Sequence, residues 1–213
     1  MRLCVINTSS LPDTVAECAA TASSLPFGRA EAERIASHGS IAAARQSLGA
    51  LLALESLAKA LPRDKLTIRR TPSGKPYFPA LPSVGFSLTH VVGFSAAALA
   101  EEEGEIGLDL ERIDGTRRYQ SIAGRFFDDA EQALLQTASD PLLCFYRLWT
   151  QKEAVAKVSG NGLFRTSADR PCVTRHLRLT ADKTSLVLCL AARAPFDLQE
   201  IQLPTNMKHE DLP

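Results

Sequence analysis

The chain has 213 residues, 45% of them hydrophobic, and its 24 basic and 24 acidic side chains cancel to a formal net charge of zero. It is long and apolar enough to bury a sizeable core, which excludes a disordered chain. The charge balance also excludes recruitment to nucleic acid or an anionic membrane by overall field, so any anionic ligand must be held by a local cluster.

The cysteines, Cys4, Cys18, Cys144, Cys172 and Cys189, form no CxxC pair and sit mostly in apolar segments, as reduced, buried thiols do. The first apolar run, Leu3 to Ile6, is too short for a signal peptide, and no later run approaches membrane-spanning length. The expectation is a cytoplasmic protein with no membrane association.

Residues 1–7, MRLCVIN, predict a strand and the SSLPD segment a turn. An alanine-rich helix follows from about Thr14 to Ser24, then a short helix in FGRAEAERIASHGS ending near Gly39. Ser40 can cap the longer IAAARQSLGALLALESLAKAL, whose buried stripe is Leu48, Leu51, Leu52 and Leu57. KLTIRR (65–70) is a strand candidate, and TPSGKPYFPALP is too rich in Pro and Gly for helix. Val84 to Thr89, Gly93 to Ala100 and Glu105 to Glu111 read as three strands of one antiparallel meander. Arg112, Arg117, Arg118 and Arg125 then form the one basic concentration. A loop in SGNGLF, a hairpin of Cys172 to Thr180 with Ser185 to Ala192, and a frayed tail over 204–213 close the chain.

A repeat runs through this order. FGRAE, starting at Phe27, recurs as FDDAE, starting at Phe127, and each opens a short helix that precedes a longer one. Residues 27–60 and 127–160 match helix for helix, which implies two halves of similar build with room for a site between them.

The second long helix, from the cap Asp140 to the stop Gly160, carries the informative irregularity. Leu142, Phe145, Tyr146, Leu148, Trp149, Val155 and Ala156 make a continuous apolar arc, with Arg147, Thr150 and Gln151 opposite. Glu153 and Lys152 break that arc. A carboxylate so placed is partly desolvated and needs a cation, a metal or strong donors. Lys157 lies one turn on from Glu153, although spacing alone describes a surface Glu–Lys pair equally well.

A second acidic site stands in GEIGLDLER. Alternation sends Ile106, Leu108 and Leu110 to the core and puts Gly107, Asp109 and Glu111 on the other face. That face could simply be solvent-exposed, but adjacent carboxylates repel unless a cation intervenes. Carboxylate oxygens completed by water and phosphate suit Mg²⁺, and Glu153 could complete the set. Lys75, His90, Lys152, Lys157 and Arg45 are candidate cations for a phosphorylated ligand.

GKPYFP, FSLTH, IGLDLE and LWTQKEAVAK followed by GNGL resemble, in order and separation, the Sfp-type 4′-phosphopantetheinyl transferases over roughly residues 27–190. The resemblance implies an α+β fold of two similar sandwich-like halves related by a pseudo-twofold axis, with mostly antiparallel sheets. The halves would be 1–103 and 104–213, with the active site in the cleft between them. It implies transfer of the phosphopantetheine arm of coenzyme A to a serine of an acyl or peptidyl carrier protein, releasing adenosine 3′,5′-bisphosphate. It further implies Mg²⁺ on Asp109, Glu111 and Glu153, with Glu153 as base and Lys157 on the transferred phosphate. Arg45, Lys75, Thr89 and His90 would contact the nucleotide end of coenzyme A, and Lys152 would either join them or snorkel.

The arginines from Arg112 to Arg125 would steer an acidic carrier, in a protein expected to be monomeric with no nucleic-acid partner. Where relatives place basic residues for the 3′-phosphate, this chain has AEAERI with only Arg29 and Arg34 nearby. Two alternatives stand beside it: a Mg²⁺-dependent phosphohydrolase using the same three carboxylates with water as nucleophile, and a non-catalytic carrier-binding relative, suggested by the thinned basic cluster near Ala30. A serine hydrolase built on Ser87 and His90 lacks a nucleophile elbow.

Overall fold

A computed structural model of the protein describes residues 1–160 and 171–212. The first strand, β1 (Arg2–Asn7), leads into helices α1 (Val15–Ser23), α2 (Arg29–Ala36) and α3 (Ile41–Leu57). A two-residue ribbon, β2 (Arg69–Arg70) with β3 (Pro76–Tyr77), precedes β4 (Gly85–Val91), β5 (Phe94–Ala100) and β6 (Ile106–Arg112). Then come α4 (Tyr119–Phe126), α5 (Asp129–Thr137), α6 (Pro141–Ser159), β7 (Val173–Ala181), β8 (Thr184–Ala192), β9 (Glu200–Gln202) and β10 (Met207–Leu212).

The helix boundaries follow from local chemistry. Thr14 and Glu17 close a capping box on α1, and Asp128 with Glu131 does the same on α5. Ser40 caps α3 through the amide of Ala43, and Asp140 caps α6 through that of Leu143. Gly160 ends α6 in the left-handed conformation, at φ 71°. The predicted repeat is visible here: α2 starts at Arg29 and α5 at Asp129, α3 at Ile41 and α6 at Pro141.

The strands form two four-stranded sheets, ordered β4-β5-β1-β9 and β10-β7-β8-β6. Within them β1-β5-β4 and β6-β8-β7 have the same antiparallel connectivity. The sheets pack face to face, with Leu3, Val5, Phe94 and Ala96 of one against Leu108, Leu110, Leu177 and Leu188 of the other. On the outer face of the first sheet, Leu48, Leu51 and Leu54 of α3 cover Cys4, Ala97 and Leu99. On the outer face of the second, Tyr146, Trp149, Ala154 and Val158 of α6 cover Val187, Cys189 and Ala191. Four layers result: helices, sheet, sheet, helices. The cysteines are free thiols, all buried or half-buried. Among the described residues no helix is long and apolar enough to cross a membrane.

The structure corrects several sequence expectations. The third strand, β6, does not extend the β4–β5 meander, because both edges of β5 are already taken, by β4 and β1. It joins β8 in the other sheet. The tail is not frayed: β10 pairs with β7 along its length and buries Met207. Residues 200–202 return to the first sheet as β9, parallel to β1, so the C-terminal half does not close on itself. Thr150, expected on the outer side of its helix, is fully buried, its hydroxyl donating back to the Tyr146 carbonyl. KLTIRR yields strand only at its last two residues. Most of the GNGL motif, Asn161 to Leu163, lies outside the described residues.

Candidate active site

The two sheets meet along edge strands β4 and β6, which carry the FSLTH and IGLDLE motifs. Their junction is polar and ordered. Ser87 accepts a hydrogen bond from the Leu108 amide at 3.0 Å, and Thr89 donates to Asp109 Oδ1 at 3.2 Å. Ser87 is thus a buried bridge between the halves and not an exposed nucleophile.

Above β6 lies α6, at unusually close range. A methyl group on Gly107 would overlap the Ala154 carbonyl and come within 3.0 Å of the Val158 amide nitrogen, so only glycine allows this approach. The outward face of β6 is therefore the seat of α6, which brings Asp109 and Glu111 under Glu153 and Lys157.

Lys157 Nζ donates to Asp109 Oδ1 at 2.8 Å, to the Leu108 carbonyl at 2.9 Å and to Thr89 Oγ1 at 3.3 Å. It prefers this cross-layer acid to Glu153 on its own helix. Asp109 is buried, and its other oxygen, Oδ2, has no hydrogen-bond partner. A desolvated, unpartnered carboxylate oxygen is costly unless a cation completes it. Glu111 is better satisfied: Oε1 accepts from the Trp149 indole at 3.0 Å and Oε2 from Arg117 at 3.1 Å. The Arg117 guanidinium in turn lies 5.7–5.8 Å from the ring centres of Phe145, Tyr146 and Trp149.

Burial pushes the carboxyl of Glu153 above its ordinary value, helped by the charge of Asp109. The same burial raises Glu111, with Arg117 opposing it and Asp109 adding to it. Among the described residues no three acidic, histidine or cysteine side chains stand close enough to hold an ion as placed. The open oxygen of Asp109 and the mutual repulsion of Asp109, Glu111 and Glu153 nevertheless fit a divalent cation.

A cleft of about 340 Å³ opens beside these acids, between α3 and α6. Glu153, Lys157, Arg34, Ser47, Arg70, Lys75 and His90 all line it. Lys75 donates to the Val158 carbonyl near the end of α6, tying the β2–β3 loop to the second half. Desolvation lowers its pKa. Desolvation also lowers that of His90, reinforced by the charges of Lys157 and Arg34.

Seven of the nine sequence-predicted site residues therefore gather here: Lys75, Thr89, His90, Asp109, Glu111, Glu153 and Lys157. Two do not. Arg45 turns to the Pro12 carbonyl and Asp13, and Lys152 pairs with Glu131 of α5 at 2.8 Å, over the Phe127 ring. Lys152 is an inter-helix tie because its position faces α5, about 100° around the helix from the cleft-facing Glu153. Sequence reasoning missed Arg70 and Ser47, which stand in segments with no motif. The buried Glu31 that holds Arg70 was legible only as half of the FxxAE repeat.

Comparison with known proteins finds a family and relatives for part of the chain. Residues 105–201, just under half of the chain, match the 4′-phosphopantetheinyl transferase superfamily. The 4′-phosphopantetheinyl transferase AcpT of Salmonella typhimurium is 33% identical over 130 residues, 59% of this chain and 66% of AcpT. A 4′-phosphopantetheinyl transferase of Bacillus subtilis is 38% identical over 93 residues, 42% of this chain and 39% of its own. The transferase Sfp of Bacillus subtilis strain 168 is 31% identical over 123 residues, 56% of this chain and 53% of Sfp. The aligned stretch thus spans between two fifths and two thirds of these relatives' lengths. Over residues 105–201, the stretch that holds Asp109, Glu153 and Lys157, the chain is similar to the 4′-phosphopantetheinyl transferase superfamily.

Proposed function

We propose that the protein transfers the 4′-phosphopantetheine arm of coenzyme A to a serine hydroxyl of an acyl or peptidyl carrier protein. The single observation that carries this reading is the convergence of Asp109, Glu153 and Lys157 beside a cleft walled by further cations. The serine oxygen would attack the phosphorus bearing the pantetheine arm. The bond from that phosphorus to the bridging anhydride oxygen breaks, and adenosine 3′,5′-bisphosphate leaves.

Glu153, with its raised proton affinity and its place in the cleft wall, is suited to take the hydroxyl proton as attack proceeds. Lys157, held by Asp109 and the Leu108 carbonyl, offers a fixed positive charge to the phosphoryl oxygens. Mg²⁺ held by Asp109, Glu111 and Glu153 would supply charge neutralisation at the pyrophosphate. Accepting an ion there requires Glu111 to release Arg117.

The two halves, 1–103 and 104–213, read as copies of one unit about a pseudo-twofold axis, with the chain working as a monomer. Their shared strand connectivity and helix spacing support this, with β9 as a segment returned to the first sheet. Carrier steering falls to the exposed Arg112, Arg118 and Arg125, since Arg117 is committed to Glu111 and the aromatic rings.

Mass spectrometry of apo-carrier proteins incubated with coenzyme A and Mg²⁺ tests the reading. A gain of one phosphopantetheine on a carrier serine is expected. Hydrolysis of coenzyme A with the carrier unmodified would overturn it in favour of a phosphohydrolase.

A further inference from the structure

Arg147 stands where α6 meets β7, and His176 Nε2 donates to its carbonyl at 3.1 Å. Its guanidinium has no such partner. The side chain is half-buried, its Nε is shut off from solvent without an acceptor, and it enters no ion pair or hydrogen bond among the described residues. The titratable groups that feel its charge are His176, Cys144 and Cys189, and burial keeps each of them neutral, so none balances it. A guanidinium left in this state is costly unless an anion meets it.

The same residue lines a groove of about 400 Å³ between α5, α6 and β10. Leu143 and Leu148 of α6, Leu134 of α5 and Leu212 of β10 give the groove an apolar wall, and Leu134 is 57% exposed. The one other charged residue in the lining is Asp140, about 10 Å from Arg147 along the helix axis, where it caps α6 through the Leu143 amide. At 100° per residue, Arg147, Cys144 and Leu148 lie about 120–180° around α6 from Glu153. The groove therefore opens on another flank of the helix, and it shares no lining residue with the cleft.

We propose that this groove binds an unbranched aliphatic carboxylate of medium chain length, with its head on Arg147 and its chain along the leucines. A carboxylate supplies the planar acceptor that a guanidinium matches, and it balances a charge that the protein leaves unbalanced. The volume falls within the range of small-molecule sites, and the stretch of α6 from Asp140 to Gln151, about 16 Å, gives an extended chain a track to follow. A single cation with Asp140 nearby favours a ligand charged at one end only. An acidic protein helix would bring further charges against Asp140. The site stands independently of the transfer reading.

Titration calorimetry of the whole chain with decanoate and with decanol, which keeps the chain and lacks the charge, tests the proposal. Decanoate should fill a single site and bind about 10-fold or more tighter than decanol. Arg147→Met should abolish that preference, retain decanol binding and melt no lower than the parent, since the guanidinium has no partner to lose. Leu134→Glu, at an exposed position, should weaken decanoate and so keeps the test open should the Arg147 variant fail to fold. Coenzyme A at saturation should leave decanoate affinity unchanged. Equal binding of the two probes, binding of neither, or an undiminished preference in Arg147→Met overturns the site. Displacement of decanoate by coenzyme A also overturns it, by moving the probe into the cleft. Weaker binding of an apo-carrier by Arg147→Met, with decanoate ignored by the unaltered protein, overturns it in favour of a protein helix.

Discussion

Glu153 and Glu111 are held in a place that disfavours their charge. Both have native pKa values above the ordinary 4.5, so the folded protein keeps protons that the unfolded chain has released. Their contribution to stability is therefore lost as pH rises from about 4.5 through the native values, and the full penalty persists at neutrality. Glu153→Gln removes one share of it. The variant should melt higher than the parent at pH 7 in metal-free buffer, while transfer falls by roughly 100-fold or more. A lower melting temperature would instead make Glu153 a stabilising partner of Lys157. Differential scanning calorimetry against pH in metal-free buffer checks the stability argument. Arg117→Met keeps the aromatic contact but frees Glu111. It should tighten Mg²⁺ binding by calorimetry, because Arg117 no longer competes for that carboxylate; weaker binding would show instead that Arg117 orients the acid.

At the scale of elements, the seating of α6 on β6 decides whether there is a site at all. Gly107→Ala inserts a methyl group against the α6 backbone, which cannot rotate away. The expected cost is about 3 kcal/mol, read as a lowered denaturant midpoint, together with loss of transfer as Glu153 and Lys157 shift from Asp109. Sequence patterning anticipated this pair of elements well. Strand alternation placed Asp109 and Glu111 on one face, and helical period placed Glu153 inside the apolar arc, because both signals are local. It failed where the answer depended on which edge was already occupied: nothing within residues 101–112 says that β5 has both neighbours, so β6 was drawn into the wrong sheet. It failed likewise for Arg45 and Lys152, whose side chains pair with Asp13 and with Glu131 of α5, partners that no local pattern marks. The strand β10 has only Met207 and Leu212 as apolar residues, too few for a pattern, and is recruited by the open edge of β7.

Across the whole molecule, the cleft borrows its walls from both helical layers, so a ligand filling it should couple them. Coenzyme A at 100 times its Kd should raise the unfolding free energy by about 2.7 kcal/mol, seen as one upward-shifted transition and not two. Removing residues 204–213 should expose the β7 edge and the seat of Met207, at a cost of about 2 kcal/mol, or roughly 4–8 °C in Tm. A truly frayed tail would leave Tm unchanged.

The parallel strap formed by residues 200–202 on β1 has a further consequence, for the order in which the molecule is made. During synthesis β1 waits for a segment about 200 residues further along the chain before its sheet gains a fourth strand. At about 10 residues per second, β1 spends some 20 s with that border uncovered, so a nascent chain is most exposed to edge-to-edge misassociation in the interval before β9 emerges.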